Sequence, residues 1–435
     1  MNPPGIVLVL VCCFATLFLP RRHALLPLFA ATCLTTIGQS LQIAGINFWI
    51  TRLVFVAGGL RVFLRHERRR GGLLSLDGLV VLWAIWALVS SLGHEDSWHA
   101  FIWRAGMAFD ACAVYFLVRT FCQSTEELEA VVAGLAGVLA VVAAEMLFEK
   151  VTGRNLFAMF GGIAEASAVR GGKIRAQGPF LHAILAGTVG AVCLPLFIAF
   201  LRERTKTSVL GVVACLAMIA ASVSSGPIMS LGAAVCALLM WRFRDRLYIF
   251  RWGAVLVYVG LTFVMKSPPY YLIARIDFTG ESTGFHRAAL IQSSIEHLRE
   301  WWAWGTDYTR HWMPTGVAAS TQETDITNQY IRMGVIGGLP LMFLFLAMVW
   351  RGFVYAGDVV NRWVNASKRT KSIAWALGAS LFSIFATGIS VSFFDQSVLF
   401  VYLVLGVLGS LRALMAEEST RVADRRQPAV FGLQG

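Results

Sequence analysis

Residues 124–148 read STEELEAVVAGLAGVLAVVAAEMLF. Ser124 followed three positions later by Glu127 is a capping box, the signature of a helix start. The apolar run behind it is long enough to cross the hydrocarbon of a bilayer. Lipid offers backbone N–H and C=O groups no partner, so a lone crossing segment has to be a helix. Similar runs recur at 5–19, 24–42, 48–64, 76–92, 100–117, 181–201, 209–222, 228–241, 250–264, 334–354, 373–391 and 398–415. The chain is 57% hydrophobic and 14% charged, against roughly 25% charged residues in soluble domains. The expected fold is all-α: a single polytopic integral membrane domain over 1–435 with about 12–13 transmembrane helices.

The net charge of +12 would suit nucleic acid, but its placement points elsewhere. Arg21 and Arg22 and the basic clusters at 61–70, 202–206, 242–246 and 362–371 fall in alternate loops. With thirteen spans and the N-terminus outside, all of them lie in the cytoplasm together with the tail at 421–426, as the positive-inside rule requires. Two longer loops, 150–180 and 266–332, then lie outside, the larger just before the eleventh span. The first run has no positive n-region and no clear cleavage site, so it reads as a retained span. Eight cysteines sit in or beside apolar runs without C-x-x-C spacing, which reads as packing rather than zinc or disulfide chemistry.

Under the positive-inside rule, basic residues in outer loops are exceptions that carry information. The first loop holds Arg154, Arg170, Lys173 and Arg175 against Glu165 alone; the second holds Arg275, Arg287, Arg299, Arg310 and Arg332, balanced overall by acids. Guanidinium groups bind phosphate oxygens through a two-pronged fork. Converging at the outer face, they would suit a lipid-linked phosphate or diphosphate; taken singly, each could instead touch lipid headgroups or pair with loop carboxylates. Arg175 stands just ahead of a span in RAQGPFLHA, with Gly178 permitting a close turn and His182 at the mouth of the span. In 285–298, Ala288, Ile291, Ile295 and Leu298 make a helical stripe, predicting a membrane-surface helix with Arg287 at the edge of its buried face. Trp301, Trp302, Trp304 and Trp312 read as interfacial anchors.

Candidates for a general base are His311, Asp325, Glu323 and Asp307, all near Asn328 in sequence. No D-x-D pair, P-loop or zinc-ligand spacing occurs, so neither metal nor cofactor is expected. Within spans, Arg52, Arg104 and Asp110 are costly unless they meet polar partners on other helices. Pro179 and Pro340 are expected at the outer ends of the seventh and eleventh spans, and Asp395 in FFDQS is a candidate for the outer cavity.

RAQGPFLHA at the head of a span, then HRAALIQ, WAWGTD and DITNQYIRMGVIGGLP, in that order and spacing, resembles the O-antigen ligase and O-antigen (exopolysaccharide) polymerase superfamily over about residues 172–405. The resemblance implies a metal-independent membrane glycosyltransferase at the outer face of the bacterial cytoplasmic membrane. Such an enzyme moves a glycan, with inversion, from a polyprenyl diphosphate carrier to an acceptor. It implies that Arg175 and Arg287 engage the donor diphosphate; Asp325 or His311, by position in the chain, is the expected base. Arg170, Lys173, His182, His286, Arg310 and Asn328 are the expected substrate-binding set. In the ligase branch a histidine precedes the asparagine matched by Asn328; Thr327 stands there instead, and the D-x-T-N form looks more like polymerases. The implied partners are a lipid-linked glycan donor and acceptor, membrane lipids and a chain-length regulator, with no nucleic acid. Two other readings stand beside polymerisation: ligation to a terminal acceptor such as lipid A core, and a flippase without chemistry. A flippase would carry internal symmetry and polar residues through its span centres.

Overall fold

A computed structural model describes residues 2–43, 46–275 and 284–426. Positions 276–283 of the expected outer loop and 427–435 of the tail lie outside the described residues. The chain is mostly helical. In order it forms α1 (Pro3–Phe18), α2 (Leu26–Leu34), a hairpin of β1 (Ser40–Ile43) and β2 (Ile46–Trp49), α3 (Ile50–Leu64), α4 (Ser75–Val89), α5 (Ser97–Phe121) and α6 (Thr125–Thr152). A second hairpin, β3 (Ala168–Arg170) with β4 (Lys173–Arg175), precedes α7 (Ala183–Ala199), α8 (Thr205–Ser222), α9 (Ser225–Leu239) and α10 (Leu247–Val264). Then follow α11 (Gly284–Glu296), α12 (Leu298–Trp301), α13 (Gln329–Asn361), α14 (Lys368–Gly388) and α15 (Leu399–Arg426).

Each of the thirteen apolar runs carries a helix. Among the described residues, seven helical stretches are long and apolar enough to cross a membrane: α4, α5, α6, α8, α9 with α10, α13 and α15. Helices α1 and α7 are apolar but shorter. The run at 24–42 is the clearest departure from the expected pattern, since its helix stops at Leu34 and its end pairs into the first hairpin. Gly38 lies against the backbone of Gly161 and Gly162, where a Cβ would meet atoms at 2.4 Å. That close approach, with the Thr36 hydroxyl donating to the Gly161 carbonyl, holds the segment out of a helix.

One large apolar core joins α1–α8 to α13–α15, with Trp83, Tyr115, Phe121, Phe197 and Phe200 fully buried. The costly intramembrane charges all find partners. Asp110 takes a two-pronged pair from Arg52 at 2.8 and 2.9 Å, and Asp77 accepts from Tyr115 at 2.7 Å and Arg119 at 3.2 Å.

Helix α13 starts earlier than its apolar run suggests, at Gln329, so Pro340 lies inside it rather than at its end. The helix breaks at Gly337 and Gly338, where Gly338 has φ 74°. Carbonyls freed by the break are taken up by neighbours: Trp86 donates to Gly337 O at 2.8 Å, and Arg104 donates to Ile336 O at 2.5 Å. The loop at 302–306 docks into the same break, with Leu339 N–H donating to Trp302 O at 2.7 Å and Thr306 N–H to Val335 O at 2.9 Å. His94 ties the loop again through Asp307. Trp301 and Trp312 are therefore not interfacial anchors. They are buried in a second, smaller core with Leu290, Ile326 and Ile331, whereas Trp302 and Trp304 are exposed.

Thr315 is exposed on this docked loop. A cysteine placed there should react with a membrane-impermeant maleimide from the outer side, above the background of the eight native thiols. Labelling from the cytoplasmic side alone would reverse the orientation read from the charges.

Candidate functional site

The two polar loops meet over one cavity of about 510 Å³. Its walls are the β3–β4 hairpin, the start of α7, the turn at 223–225, α11, the segment 317–327 and the stretch 390–394 after α14.

The hairpin supplies most of the charge. Gly171 and Gly172 both have positive φ, 54° and 71°, which makes the tight turn whose twist matches paired strands. Arg170 pairs with Lys173 and Ala168 with Arg175. Partners across an antiparallel pair share a face, as do residues two apart. Arg170, Lys173 and Arg175 therefore lie on one face, and all three line the cavity. Arg175 is buried and Arg170 exposed.

The hairpin is fixed from behind by Glu149, on α6. Its carboxylate accepts the N–H groups of Gln177 and Gly178, both at 2.9 Å, the Ser167 hydroxyl at 2.9 Å and the Asn155 amide at 3.2 Å. Gly178 has φ 56°, a left-handed conformation that glycine adopts without strain. Asp395 holds the other end, accepting from Leu181 N–H at 3.0 Å and Ser397 N–H at 2.8 Å. Asp395 is 1% exposed, so it braces the loop and does not face the cavity. Neither role is announced by a motif. The available signal for Glu149 is its spacing from Glu145, two carboxylates four apart near the carboxyl end of an apolar helix.

Arg287 comes from the opposite wall. Helix α11 buries His286, Arg287, Ala288, Leu290 and Ser294, while Ile295 is 56% and Leu298 37% exposed. The expected stripe through Ile295 and Leu298 is thus not the buried face, and Arg287 lies within that face rather than at its edge. Leu290, Trp301 and Ile331 close that side, which explains the rotation. Arg287 is 6% exposed, and its Nε has no hydrogen-bond partner among the described residues. Burial first, then the charge of Arg170, holds its guanidinium below its usual value, with Asp325 acting in the opposite sense. The Thr327 hydroxyl on the same wall is likewise buried and unpartnered among the described residues. Asp325 is the one carboxylate among the described lining residues.

His182 caps α7, its Nδ1 accepting from Ile184 N–H at 3.3 Å. The neutral ring then carries its proton on Nε2. The side chain is exposed toward the cavity, yet crowding by protein, followed by the charges of Arg175 and Arg170, pushes the imidazole down to about 4.

The remaining expected site residues lie off the cavity. His286 Nε2 meets the Asp325 carbonyl at 3.0 Å, tying α11 to the segment it faces. Asn328 caps α13, accepting from Tyr330 and Ile331 N–H and donating to Ile389 O at 2.9 Å. Arg310 donates to the carbonyls of Met313, Pro314 and Gly316, fixing its own turn. His311 pairs with Glu300 at 2.9 Å and stacks on Tyr308. Neither Arg310 nor His311 lines the cavity.

Glu149→Leu should orphan several buried donors at about 1–3 kcal/mol each, lowering the melting temperature and exposing the hairpin to protease; unchanged melting would remove Glu149 as its brace. His182 should stay neutral in histidine-selective NMR until the pH nears 4, whereas a midpoint near 6.5 would contradict the crowding. As the pH falls from about 6.5, the unfolded chain takes up a proton that the folded site refuses, so stability declines through that window and levels off below about 4. No protein-family model and no curated protein matches this chain.

Proposed function

We propose that the cavity binds the diphosphate of a polyprenyl-linked oligosaccharide and that the protein is a polysaccharide polymerase. In this reading the enzyme joins repeat units of O-antigen or exopolysaccharide by inverting glycosyl transfer. It works at the periplasmic face of a bacterial inner membrane, within a thirteen-span chain whose N-terminus is outside. The observation that carries the reading is Arg287. Its guanidinium is buried on the cavity wall, its Nε has no hydrogen-bond partner among the described residues, and the Thr327 hydroxyl that also lines the cavity is likewise without one among them.

A buried guanidinium with an open donor facing a cavity suits an anionic oxygen, and guanidinium forks match phosphate oxygens. The acceptor hydroxyl attacks the anomeric carbon as the bond to the diphosphate oxygen breaks. Negative charge grows on the leaving group, and cations already fixed in place stabilise that change more than the ground state. Asp325 is the acid–base group of this cavity and would take the hydroxyl proton. Neutral His182 can donate from Nε2 to a phosphate or sugar oxygen. A ligase passing the glycan to a terminal acceptor would share the donor site. Thr327 stands where that branch carries histidine, and this favours polymerisation.

Purified protein given a polyprenyl diphosphate oligosaccharide should produce a ladder of products. Arg287→Ala and Arg175→Ala should each lower kcat about a hundredfold or more, and Asp325→Asn should slow turnover with little change in donor binding. A single transfer to a terminal acceptor would mean ligation. Full activity in both arginine variants would eliminate the diphosphate clamp.

A further inference from the structure

A second, larger cavity of about 1230 Å³ lies at the other ends of the helices that frame the first. Helix α7 starts beside the first cavity at Ala183 and ends at the second with Ile198 and Ala199. Helix α13 begins just after Thr327 and ends at Val360 and Asn361. Helix α14 runs the other way, from Lys368 at the second cavity to Gly388 near the first. The second cavity therefore sits at headgroup depth in the opposite leaflet, which the loop charges place on the cytoplasmic side.

Its lining is strongly cationic. Arg202, Arg244, Lys368, Arg369 and Lys371 stand against Glu203 and Asp245. Both acids already have partners, since Arg369 lies 3.9 Å from Glu203 and Arg244 lies 4.0 Å from Asp245. Arg369 also pairs with Glu129, and Arg244 lies over the Trp241 ring at 4.7 Å. Arg202, Lys368 and Lys371 make no ion pair among the described residues. The amino end of α14 adds its partial positive charge to the same space. Ile198, Ala199 and Val360 supply an apolar wall beside the charges.

We infer that this cavity is a binding site for a phosphate-bearing headgroup, with Arg202, Lys368 and Lys371 as the exchangeable contacts and the apolar wall holding the carbons next to the phosphate. Arg369 and Arg244 are committed to the protein and shape the rim. Concave clefts lined by one sign of charge concentrate counter-ions, and basic pockets between helices at the cytoplasmic leaflet suit anionic lipid headgroups. The inference does not depend on the chemistry assigned to the first cavity.

The test places the full-length protein in phosphatidylcholine nanodiscs, alone or mixed with phosphatidylglycerol, and follows melting and the lipid retained after detergent extraction by native mass spectrometry. Wild type should melt higher with phosphatidylglycerol and keep it through extraction. Arg202→Ala/Lys368→Ala/Lys371→Ala should lose both effects while keeping the phosphatidylcholine melting temperature. A further arm adds inorganic phosphate to phosphatidylcholine nanodiscs: an equal shift there assigns the site to free phosphate, and none assigns it to lipid. Equal melting of wild type in all three conditions, with no lipid retained, overturns the inference whether or not the triple variant folds.

Discussion

Backbone polar groups shielded from water must find partners inside the protein, and this requirement governs how two irregular loops are built over a helical bundle. Residues 176–181 carry no regular ladder, and Glu149 and Asp395 substitute for one by accepting N–H groups from that segment. The break in α13 poses the converse problem, surplus carbonyls, which Arg104 and Trp86 resolve as donors. Acids on one side and donors on the other let the chain leave helical geometry at the edge of an apolar core. Glu149 and Asp395 thereby act with the Lys150–Ile174 and Ala176–Ala221 hydrogen bonds to fix the cationic hairpin and the segment after it.

A fixed position matters because the basic groups of the first cavity act on their neighbours. Arg170 is among the causes that hold Arg287 below its usual value, and with Arg175 it also depresses His182. Side chains held in place in advance spare any ligand the cost of ordering its contacts.

Much of the architecture was legible in the sequence because apolar runs report burial directly. The capped run at 124–148 became α6, and Ser124 accepts from Glu127 N–H as its spacing implies. Arg170, Lys173, Arg175 and His182 stand far in the chain from Arg287 and Asp325; all are basic or acid–base types in or beside the two polar loops, and they share one cavity. What could not be read was tertiary in origin. The face that α11 buries is set by Trp301 and Ile331, which lie outside its own periodicity. His311 and Arg310 look available in sequence, but Glu300 and three nearby carbonyls occupy them. The hairpin carried a local signal, Gly171-Gly172 between basic residues, whose strand parity puts all three charges on one face.

The interruption of α13 also sets where this protein can vary. At Gly338 a Cβ would meet the Ala303 carbonyl at 2.2 Å, and at Gly305 it would meet the Val335 carbonyl at 2.2 Å. Loop and span are interlocked at those two glycines and form one mechanical unit. Length changes between 302 and 306 would pull directly on a membrane helix. By contrast, 313–323 is largely exposed and lies beyond the interlock. Changes in sequence and length can accumulate there, on the rim of the first cavity, while the bundle beneath stays unchanged.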